Sequence, residues 1–258
     1  MRQKHGQNFL IDKNIANNIV RAAQFNFSDE VIEIGPGKGI LTKIIQTQVK
    51  HLTAVEIDAN LLAVLRHYFN FHNAQNIELI NADFLKYEIP DKILKFISNL
   101  PYNVGTAIIQ KILPLKNWTS CIFMLQKETV NRLAAKQGTS DYGYISIFTQ
   151  YYADAEILFD VSPKCFNPPP KVISSVIKLT NKNLQKPEPL FFEFIKHAFS
   201  MRRKTILNAL SSFKNLEKNQ AKKILTTCNF DSFLRPDKFS ISDFFCLTTE
   251  IKKYIILQ

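Results

Sequence analysis

Residues 31–39 read VIEIGPGKG, a short run of β-branched and apolar residues that ends in three glycines. Glycine tolerates positive φ and lets a ligand approach the backbone, so Gly35, Gly37 and Gly39 predict a tight turn beside a ligand. Helical spacing of apolar residues resumes at Leu41, which makes the stretch a strand–turn–helix unit. In a doubly wound sheet the first such turn binds an adenosine-containing cofactor. The stretch therefore predicts a Rossmann-like α/β fold.

Alternating apolar runs and helical stripes extend this pattern in both directions. We expect strands at 31–35, 52–58, 76–83, 93–99 and 120–125, and helices at 12–25, 41–45, 59–69, 104–113 and 126–136. Such alternation is typical of βαβ units that build a parallel sheet. Two later runs, 156–161 and 171–179, have no helix between them, so we expect them to pair antiparallel.

A change of pattern near residue 185 marks a predicted domain boundary. Residues 181–189 are mostly polar and contain two prolines, as linkers often do. Beyond them the apolar spacing is helical. We therefore predict an α/β domain over 1–185 and a small all-helical domain over 186–258.

The composition favours a polyanionic partner. The formal net charge is +11, which suits nucleic acid first and an anionic membrane surface second, with plain solubility as the simpler alternative. The polar amino-terminal stretch is unlike a secretion signal, and no apolar run approaches a membrane span, so we expect a cytoplasmic protein. We expect buried thiols in a reducing compartment, and no metal site, from the scattered cysteines Cys121, Cys165, Cys228 and Cys246.

Acidic residues end the second and third predicted strands. Glu56 lies about 20 residues beyond the glycine turn, where a carboxylate can accept hydrogen bonds from both hydroxyls of a ribose. Asp83 is placed to accept from the amino group of an adenine. Either residue alone is more simply a helix N-cap, but three successive strand ends with suitable groups favour a cofactor. Because Ile40 replaces the third glycine of a dinucleotide fingerprint, the spacing argues against NAD and suits a cofactor without a pyrophosphate. The three strand ends together indicate S-adenosylmethionine.

The fourth predicted strand ends in ISNLPYN, which alone is a turn or helix-cap signal. Beside a methyl donor, acceptors at this corner can orient the lone pair of a poorly nucleophilic exocyclic amine. We expect the Asn99 side-chain oxygen and a carbonyl of Leu100 or Pro101 to be those acceptors. Tyr102 offers a face for a base to stack on. In the proline loop CFNPPPKV, Phe166 is either a second stacking wall or an ordinary packing anchor.

Together these motifs resemble those of the ribosomal RNA adenine N6-dimethyltransferase family, in family order along nearly the whole chain. The matching segments are HGQNFL (5–10), EIGPGKGILT (33–42), VEID (55–58), NADFL (81–85), NLPYNV (99–104), QKETVNRL (126–133), DYGY (141–144), FNPPPKVISSV (166–176) and MRRKTILNAL (201–210). The order of motifs and the helical tail are similar to the bacterial small-subunit branch. That branch dimethylates two adjacent adenosines in a hairpin loop near the 3′ end of 16S rRNA.

The resemblance implies a residue set for the site and a biological setting. The implied cofactor contacts, with the glycine turn, are Asn8, Leu10, Gly35, Gly37, Glu56, Asp83 and Asn99. The implied catalytic positions are Asn99, Leu100, Pro101 and Tyr102, with Phe166 as the opposing wall. Asn8 and Leu10 rest on the resemblance alone, because GQNFL otherwise reads as a loop. The resemblance also implies a role in small-subunit biogenesis.

A basic stretch in the predicted helical domain is the candidate RNA contact. Arg202, Arg203 and Lys204 are expected at the start of a helix, with further lysines at Lys218, Lys222 and Lys223. A solvated helix face is the simpler reading of such a charge run. The overall charge and the implied substrate favour phosphate contact instead. We expect a monomer whose partner is 16S rRNA in the small subunit or its precursor.

Three alternatives remain at this level. The macrolide-resistance methyltransferases of 23S rRNA are similar but typically carry an isoleucine in the NLPY slot. A non-catalytic RNA-binding assembly or transcription factor on the same fold is disfavoured by the intact Asn99 and Tyr102. An NAD-dependent oxidoreductase is disfavoured by the glycine spacing.

Overall fold

The glycine turn follows the strand next to the central one of a seven-stranded sheet in the computed structural model, which describes residues 8–255. The strands are β1 (Phe9–Leu10), β2 (Glu30–Ile34), β3 (His51–Glu56), β4 (Ile77–Asn81), β5 (Leu94–Asn99), β6 (Trp118–Gln126), β7 (Ala153–Val161), β8 (Phe166–Asn167) and β9 (Ser174–Asn181). The helices are α1 (Lys13–Ala23), α2 (Thr42–Ile45), α3 (Ala59–Phe71), α4 (Gly105–Ile112), α5 (Lys127–Leu133), α6 (Tyr144–Tyr152), α7 (Pro189–Ser200), α8 (Ile206–Ser211), α9 (Lys218–Thr227) and α10 (Ile241–Ile255). Residues 1–7, including the start of the HGQNFL motif, lie outside the described part.

The sheet has the order β4-β3-β2-β5-β6-β9-β7. Strands β2 to β6 run parallel, and β9 pairs antiparallel with both β6 and β7. The chain moves outward from β2 through β3 and β4, then returns to the other side of β2 at β5. Ligands of open α/β sheets bind at the carboxyl ends of the strands beside such a reversal. The topology therefore places the glycine turn and the end of β5 side by side.

The core is built from nearly continuous apolar strands covered by amphipathic helices. α1 buries Ala16, Ile19, Val20 and Ala23, the spacing of one helix face, in a cluster that includes Ile97 of β5. That helix begins where it does because the Asp12 side chain accepts from the backbone N–H groups of the first turn. The face opposite the core stays polar.

The predicted α/β class, the parallel strands and the antiparallel late pair are all confirmed. Two features were not predicted. The segment YISIFTQYY forms helix α6, although its β-branched and aromatic residues have no clear helical preference. The two-residue strands β1 and β8 pair with each other, with Leu10 opposite Phe166, and so short a pairing between distant segments leaves no local sequence signal.

The chain divides into two compact units. The first contains the residues up to Asn131 together with Tyr152–Asn183, and the second contains Arg132–Tyr151 together with the residues from Leu184 onward. The break after Asn183 falls close to the predicted boundary, but residues 132–151 group with the helical unit.

Aromatic packing inside the second unit explains this grouping. The ring of Phe192 on α7 lies 4.9 Å from that of Phe148 and 6.3 Å from that of Tyr144, both on α6. Phe191 stacks on Phe245 of α10 at 4.0 Å. Each such contact contributes beyond the area it buries. Side chains on α6 therefore belong to the aromatic core of the helical unit.

The cysteines are all free thiols, and Cys121 is buried while Cys165, Cys228 and Cys246 are half-buried. Within residues 8–255 there is no cluster of three or more His, Cys, Asp or Glu side chains arranged to hold a metal ion. In the same range no helix combines the length and the apolar character that crossing a membrane requires.

Candidate active site

A cavity of about 550 Å³ opens at the carboxyl ends of β2, β3 and β5. Its size lies within the range of small-molecule sites. The predicted residues that line it are Asn8, Leu10, Gly35, Gly37, Glu56, Asp83, Asn99, Leu100, Pro101 and Tyr102. Residues from five separate stretches of sequence thus meet in one place.

The glycine turn leaves one side of the cavity open to a ligand. Gly35 has a φ of +64°, and a Cβ built there would meet no atom within 4 Å. A side chain at this position would be both strained and directed into open space. Gly39, with a φ of +78°, is needed for a different reason, because its Cβ would lie 2.4 Å from Cδ2 of Leu65 on α3. Gly35 therefore keeps the cavity open, whereas Gly39 allows α3 to pack close to the turn.

Glu56 ties the turn to the end of β3. It is 3% exposed, and its Oε2 accepts from the backbone N–H of Gly37 at 3.0 Å while its Oε1 accepts from that of Asp58 at 3.0 Å. Each carboxylate oxygen has capacity for another donor. The carboxylate is therefore held in one orientation at the cavity wall and can still accept hydrogen bonds.

Asp83 shapes the loop that follows β4. Its Oδ1 accepts from the N–H of Leu85 at 2.9 Å, but residues 84–86 form a turn, so Asp83 stabilises a turn and is not the helix N-cap that the sequence also allowed. Lys111 of α4 fastens the same loop, because its Nζ donates to the carbonyl oxygens of Phe84 at 2.8 Å, Leu85 at 2.9 Å and Tyr87 at 2.5 Å. Burial lowers the pKa of Lys111, and the charge of Asp83 opposes that shift. Sequence reasoning missed this lysine, since a lone lysine on a helix reads as solvated.

The end of β5 presents two oxygen acceptors. Asn99 Nδ2 donates to the carbonyl of Asn8 at 3.3 Å, which leaves the side-chain oxygen Oδ1 as the available end of the amide. The Pro101 carbonyl accepts from the N–H groups of Val104 and Gly105. The Leu100 carbonyl, by contrast, takes no hydrogen bond from any residue in the range 8–255. Of the two carbonyls that the sequence left open, the one at Leu100 is therefore free to accept.

Tyr102 is held from the far side of the corner. Its hydroxyl lies 2.7 Å from the Ser174 hydroxyl at the start of β9. Burial raises the pKa of Tyr102, with the Ser174 hydrogen bond acting in the opposite direction. The phenol is therefore neutral near physiological pH and offers a ring, not a base. Ser174 belongs to the FNPPPKVISSV motif, and sequence reasoning had given it no role.

Glu33 is an unexpected carboxyl in the cavity wall. It is 2% exposed, and its Oε2 has no hydrogen-bond partner in the described structure. Burial, and secondarily the nearby charge of Glu56, raise the pKa of Glu33 to about 8, while Thr42 acts in the opposite direction. The carboxyl is therefore mostly protonated at neutral pH.

The amino-terminal segment covers the glycine turn. The Phe9 ring lies where a Cβ on Gly37 would come within 3.2 Å of it, and Lys38 Nζ lies 4.8 Å from the centre of that ring. Pairing of β1 with β8 holds Phe9 in place and brings Asn8 and Leu10 to the cavity. This contact explains why a segment that reads as a loop belongs to the site.

Phe166 is not among the residues that line the cavity. It is 3% exposed and packs in the hydrophobic cluster with Leu10 and Val161. The Asn167–Pro168 peptide bond that follows it is cis. In this conformation the side chain matches the packing-anchor alternative, and its role as a stacking wall stays a prediction.

The basic residues occupy a different position from the one predicted. Arg202, Arg203 and Lys204 lie in a turn after α7, because Thr205 is the N-cap of α8 and its Oγ1 accepts from the N–H of Asn208. Arg203 and Lys204 are exposed, as phosphate contact requires. The other predicted lysines, Lys218, Lys222 and Lys223, lie on α9.

Comparison with known proteins points to one family. The family model for ribosomal RNA adenine dimethylase matches residues 1–245. Ribosomal RNA small subunit methyltransferase A of Alkaliphilus oremlandii is 42% identical over 265 residues, which cover 96% of this chain and 91% of the relative. The protein of the same name from Clostridium acetobutylicum is 39% identical over 95% of this chain and 92% of its own length.

Solved structures agree on the fold. A dimethyladenosine transferase from Plasmodium falciparum superimposes with a TM-score of 0.82 at 24% identity, covering 95% of this chain and 98% of the other. The 23S rRNA methyltransferase ErmE gives a TM-score of 0.71 at 24% identity, covering 95% and 100%. The sequence matches and the shared fold lead to one conclusion: this chain belongs to the ribosomal RNA adenine dimethylase family.

Proposed function

We propose that this protein dimethylates the N6 amino groups of two adjacent adenosines in a hairpin loop near the 3′ end of 16S rRNA, using S-adenosylmethionine. One observation carries the proposal: the Asn99 side-chain oxygen and the Leu100 carbonyl, both available as acceptors, line the same cavity as the open glycine turn. The names of relatives at 37–43% identity support the choice of small-subunit rRNA.

The cavity fits the methyl donor on its own geometry. Gly35 leaves open space against the backbone, Glu56 offers acceptor capacity, and Asp83 lines the same wall. We assign Glu56 to the ribose hydroxyls, Asp83 to the adenine amino group and the glycine turn to the methionine portion. Asn8 and Leu10 close the site from the amino-terminal side. When bound, S-adenosylmethionine supplies a sulfonium methyl that is already activated for transfer.

The residues of the corner orient the target amine. Its two protons donate to Oδ1 of Asn99 and to the carbonyl oxygen of Leu100, which aims the nitrogen lone pair at the methyl. Both acceptors also stabilise the positive charge that develops on that nitrogen. The neutral ring of Tyr102 stacks on the adenine and faces the same charge. Pro101 fixes its own φ and keeps the turn rigid.

The remaining predicted residues complete the proposal. We assign the RNA contacts to Arg202, Arg203 and Lys204, and catalysis to the unit that carries the cavity. Phe166 would form the second wall only after its ring becomes exposed. We further propose a monomer that acts in the cytoplasm on the small subunit or its precursor and contributes to subunit biogenesis.

The 23S rRNA alternative is not favoured, because the relatives at 37–43% identity all carry the small-subunit name. The binding-protein alternative is weakened by a corner with its acceptor oxygens available.

The test is methyl transfer to small ribosomal subunits that lack the modification. Labelled S-adenosylmethionine should place label on two adjacent adenosines near the 3′ end of 16S rRNA. Asn99→Ala should bind the cofactor nearly normally but transfer methyl at least one hundred times more slowly, about 3 kcal/mol in the barrier. Asn70→Ala, at an exposed position on α3, is the matched control. Label on 23S rRNA, or normal turnover by the Asn99 variant, would overturn the proposal.

A further inference from the structure

Three segments of the helical unit meet around the basic turn. Arg202 Nη2 donates to the carbonyl of Thr139 at 3.1 Å, and the N–H of Ile206 donates to the carbonyl of Leu234 at 2.7 Å. The first bond joins the turn after α7 to the loop before α6, and the second joins the first residue of α8, directly after that turn, to the loop after α9. The basic surface is defined here as residues 136–139, 202–205 and 233–238.

The first and third segments are also bonded to each other. The N–H of Gly138 donates to the carbonyl of Asp237 at 2.9 Å, and Gln137 Nε2 donates to the carbonyl of Lys238 at 2.6 Å. Each of the three segments is thus tied to at least one other by hydrogen bonds to main-chain carbonyls. The basic surface is a built platform and not three independent loops.

The charge of this platform is mainly positive. Within its bounds it carries one carboxylate, Asp237, which lies 3.8 Å from the Nζ of Lys238, and two further aspartates, Asp141 and Asp231, flank it two residues outside. Its basic side chains are Lys136, Arg202, Arg203, Lys204, Arg235 and Lys238. Within the described residues, the side-chain nitrogens of Lys136, Arg203, Lys204 and Arg235 make no hydrogen bond or ion pair, and all four side chains are exposed. Unpaired cations on a braced surface are suited to phosphate oxygens.

An exposed aromatic ring lies in the same segment as Arg235. Phe233 is 81% exposed, although its N–H is fixed by Asp231 Oδ1 at 2.9 Å and the next residue, Leu234, is bonded to Ile206. A single exposed phenylalanine is common on protein surfaces. Phe27 is a useful comparison, because it is 78% exposed and, like Phe233, has an aspartate two residues away, but it lies away from any run of basic residues in sequence. Phe233 differs in having Arg235 two residues away and the basic turn joined to its loop.

We propose that the basic surface binds an unpaired nucleotide of RNA, with the base stacked on Phe233 and the flanking phosphates held by Arg203, Lys204 and Arg235. An exposed aromatic ring combined with basic side chains is the arrangement by which proteins hold single-stranded nucleic acid. Membrane association would require a broader apolar face. The identification of the RNA as ribosomal rests on the proposed function. The inference that this surface binds an unpaired nucleotide rests on the chemistry of the surface alone.

The test uses the full chain and a short fluorescently labelled single-stranded RNA, with the same RNA annealed to its complement as a second probe. Phe233→Ala should weaken single-strand binding roughly tenfold, since one stacked base contributes at that level. Its salt dependence should not change, because no phosphate contact is lost. Phe233→Trp should restore or exceed the original affinity, and Phe27→Ala should behave as the wild-type protein does. The duplex, whose bases are not available for stacking, should respond little to Phe233→Ala.

The contribution of the basic side chains is tested separately, through the salt dependence of RNA binding. Replacing Arg203 and Lys204 together by glutamine should reduce the slope of log K against log salt by about 1.4, the value for two phosphate contacts on a single strand. Vesicles containing phosphatidylserine serve as the competing surface. Loss of vesicle binding in Phe233→Ala with unchanged RNA binding would overturn the proposal, and so would equal effects of Phe233→Ala and Phe27→Ala on RNA.

Methyl transfer to unmodified small subunits, measured in parallel on the wild-type protein, separates the two proposals. Methyl transfer without an effect of Phe233→Ala on RNA affinity would refute the basic surface and leave the enzyme intact. A selective effect of Phe233→Ala on RNA binding without methyl transfer would support the basic surface and refute the proposed function.

Discussion

Replacement of Glu33 by glutamine should remove a pH-dependent loss of stability from the sheet. Glu33 is fully buried in the cavity wall, its Oε2 is unpaired, and burial is the main cause that raises its pKa to about 8 from an ordinary 4.5. In the unfolded chain the group ionises at its ordinary pKa. Between the two values the unfolded state therefore holds fewer protons than the folded state does, and stability must fall as pH rises.

The magnitude follows from the two pKa values. Below about pH 4.5 both states are protonated and Glu33 contributes no pH dependence. Stability then falls by up to about 1.4 kcal/mol per pH unit and levels off above the folded pKa, for a total of about 5 kcal/mol. Between about pH 6 and about pH 8 the expected loss is about 2 kcal/mol. The neutral amide of Glu33→Gln cannot ionise, so this loss should vanish.

Urea denaturation followed by tryptophan fluorescence is a suitable assay, because the single tryptophan, Trp118, is buried in β6 within the same unit. The free energies of unfolding of the wild-type protein and Glu33→Gln should diverge as pH rises, with the variant relatively more stable at the higher pH. Hydrogen bonds and charge from Lys92 and Lys50 lower the pKa of Glu30 on the same strand. Its contribution is present above the unfolded pKa and is lost only in acid, so Glu30→Gln should run parallel to the wild-type protein over this range.

Parallel curves for the wild-type protein and Glu33→Gln would refute the reasoning. They would mean that Glu33 is already ionised in the folded state at neutral pH, with an unrecognised partner for its second oxygen. A gain in wild-type stability relative to Glu33→Gln as pH rises toward about 4.5 would mean instead that the folded protein stabilises the charged form.

Three further substitutions test contacts that stabilise the site and the fold around it. Lys111→Met should weaken S-adenosylmethionine binding by about tenfold in calorimetry, because the 84–87 carbonyls lose their shared donor, and Lys111→Arg should partly restore it. Gly39→Ala should cost at least about 1–2 kcal/mol in urea denaturation, from positive φ and contact with Leu65; an unchanged midpoint would show that α3 adjusts freely. Asp12→Ala should cost about 1 kcal/mol through loss of the α1 N-cap, and a thermal midpoint equal to that of the wild-type protein would contradict it.

Local sequence patterns were sufficient to predict the sheet and the functional residues at the ends of its strands. Glu56 ends β3 and Asp83 lies two residues beyond the end of β4, and the carboxyl ends of neighbouring parallel strands meet at one edge of a sheet. Their convergence on one cavity could therefore be expected without coordinates. The first residue of α8 was harder to predict, because any of several polar residues near it can cap a helix. In the structure the N-cap is Thr205.

Contacts between distant segments left no such pattern. Lys111 reaches the loop after β4 from another helix, and Ser174 reaches Tyr102 from the antiparallel strand. Helix α6 belongs to the helical unit through its aromatic contacts with α7, which no property of its own sequence specifies. Each of these depends on which surfaces meet once the chain has folded.

The sequence by itself predicted the Rossmann-like sheet from the alternation of strands and helices, the methyl donor from groups at three successive strand ends, and the acceptor corner from the stretch ISNLPYN, because each of these signals lies in local runs of residues. Tertiary structure decided which acceptors are free. In the folded chain the Pro101 carbonyl accepts backbone hydrogen bonds, whereas the Leu100 carbonyl is free to accept others. The hydrogen bond from Asn99 Nδ2 to the Asn8 carbonyl fixes the orientation of the Asn99 amide. Burial raises the pKa of Glu33 to about 8, so its carboxyl is mostly protonated at neutral pH. Hydrogen-bond availability and burial are properties of the assembled neighbours, so no reading of one segment could supply them.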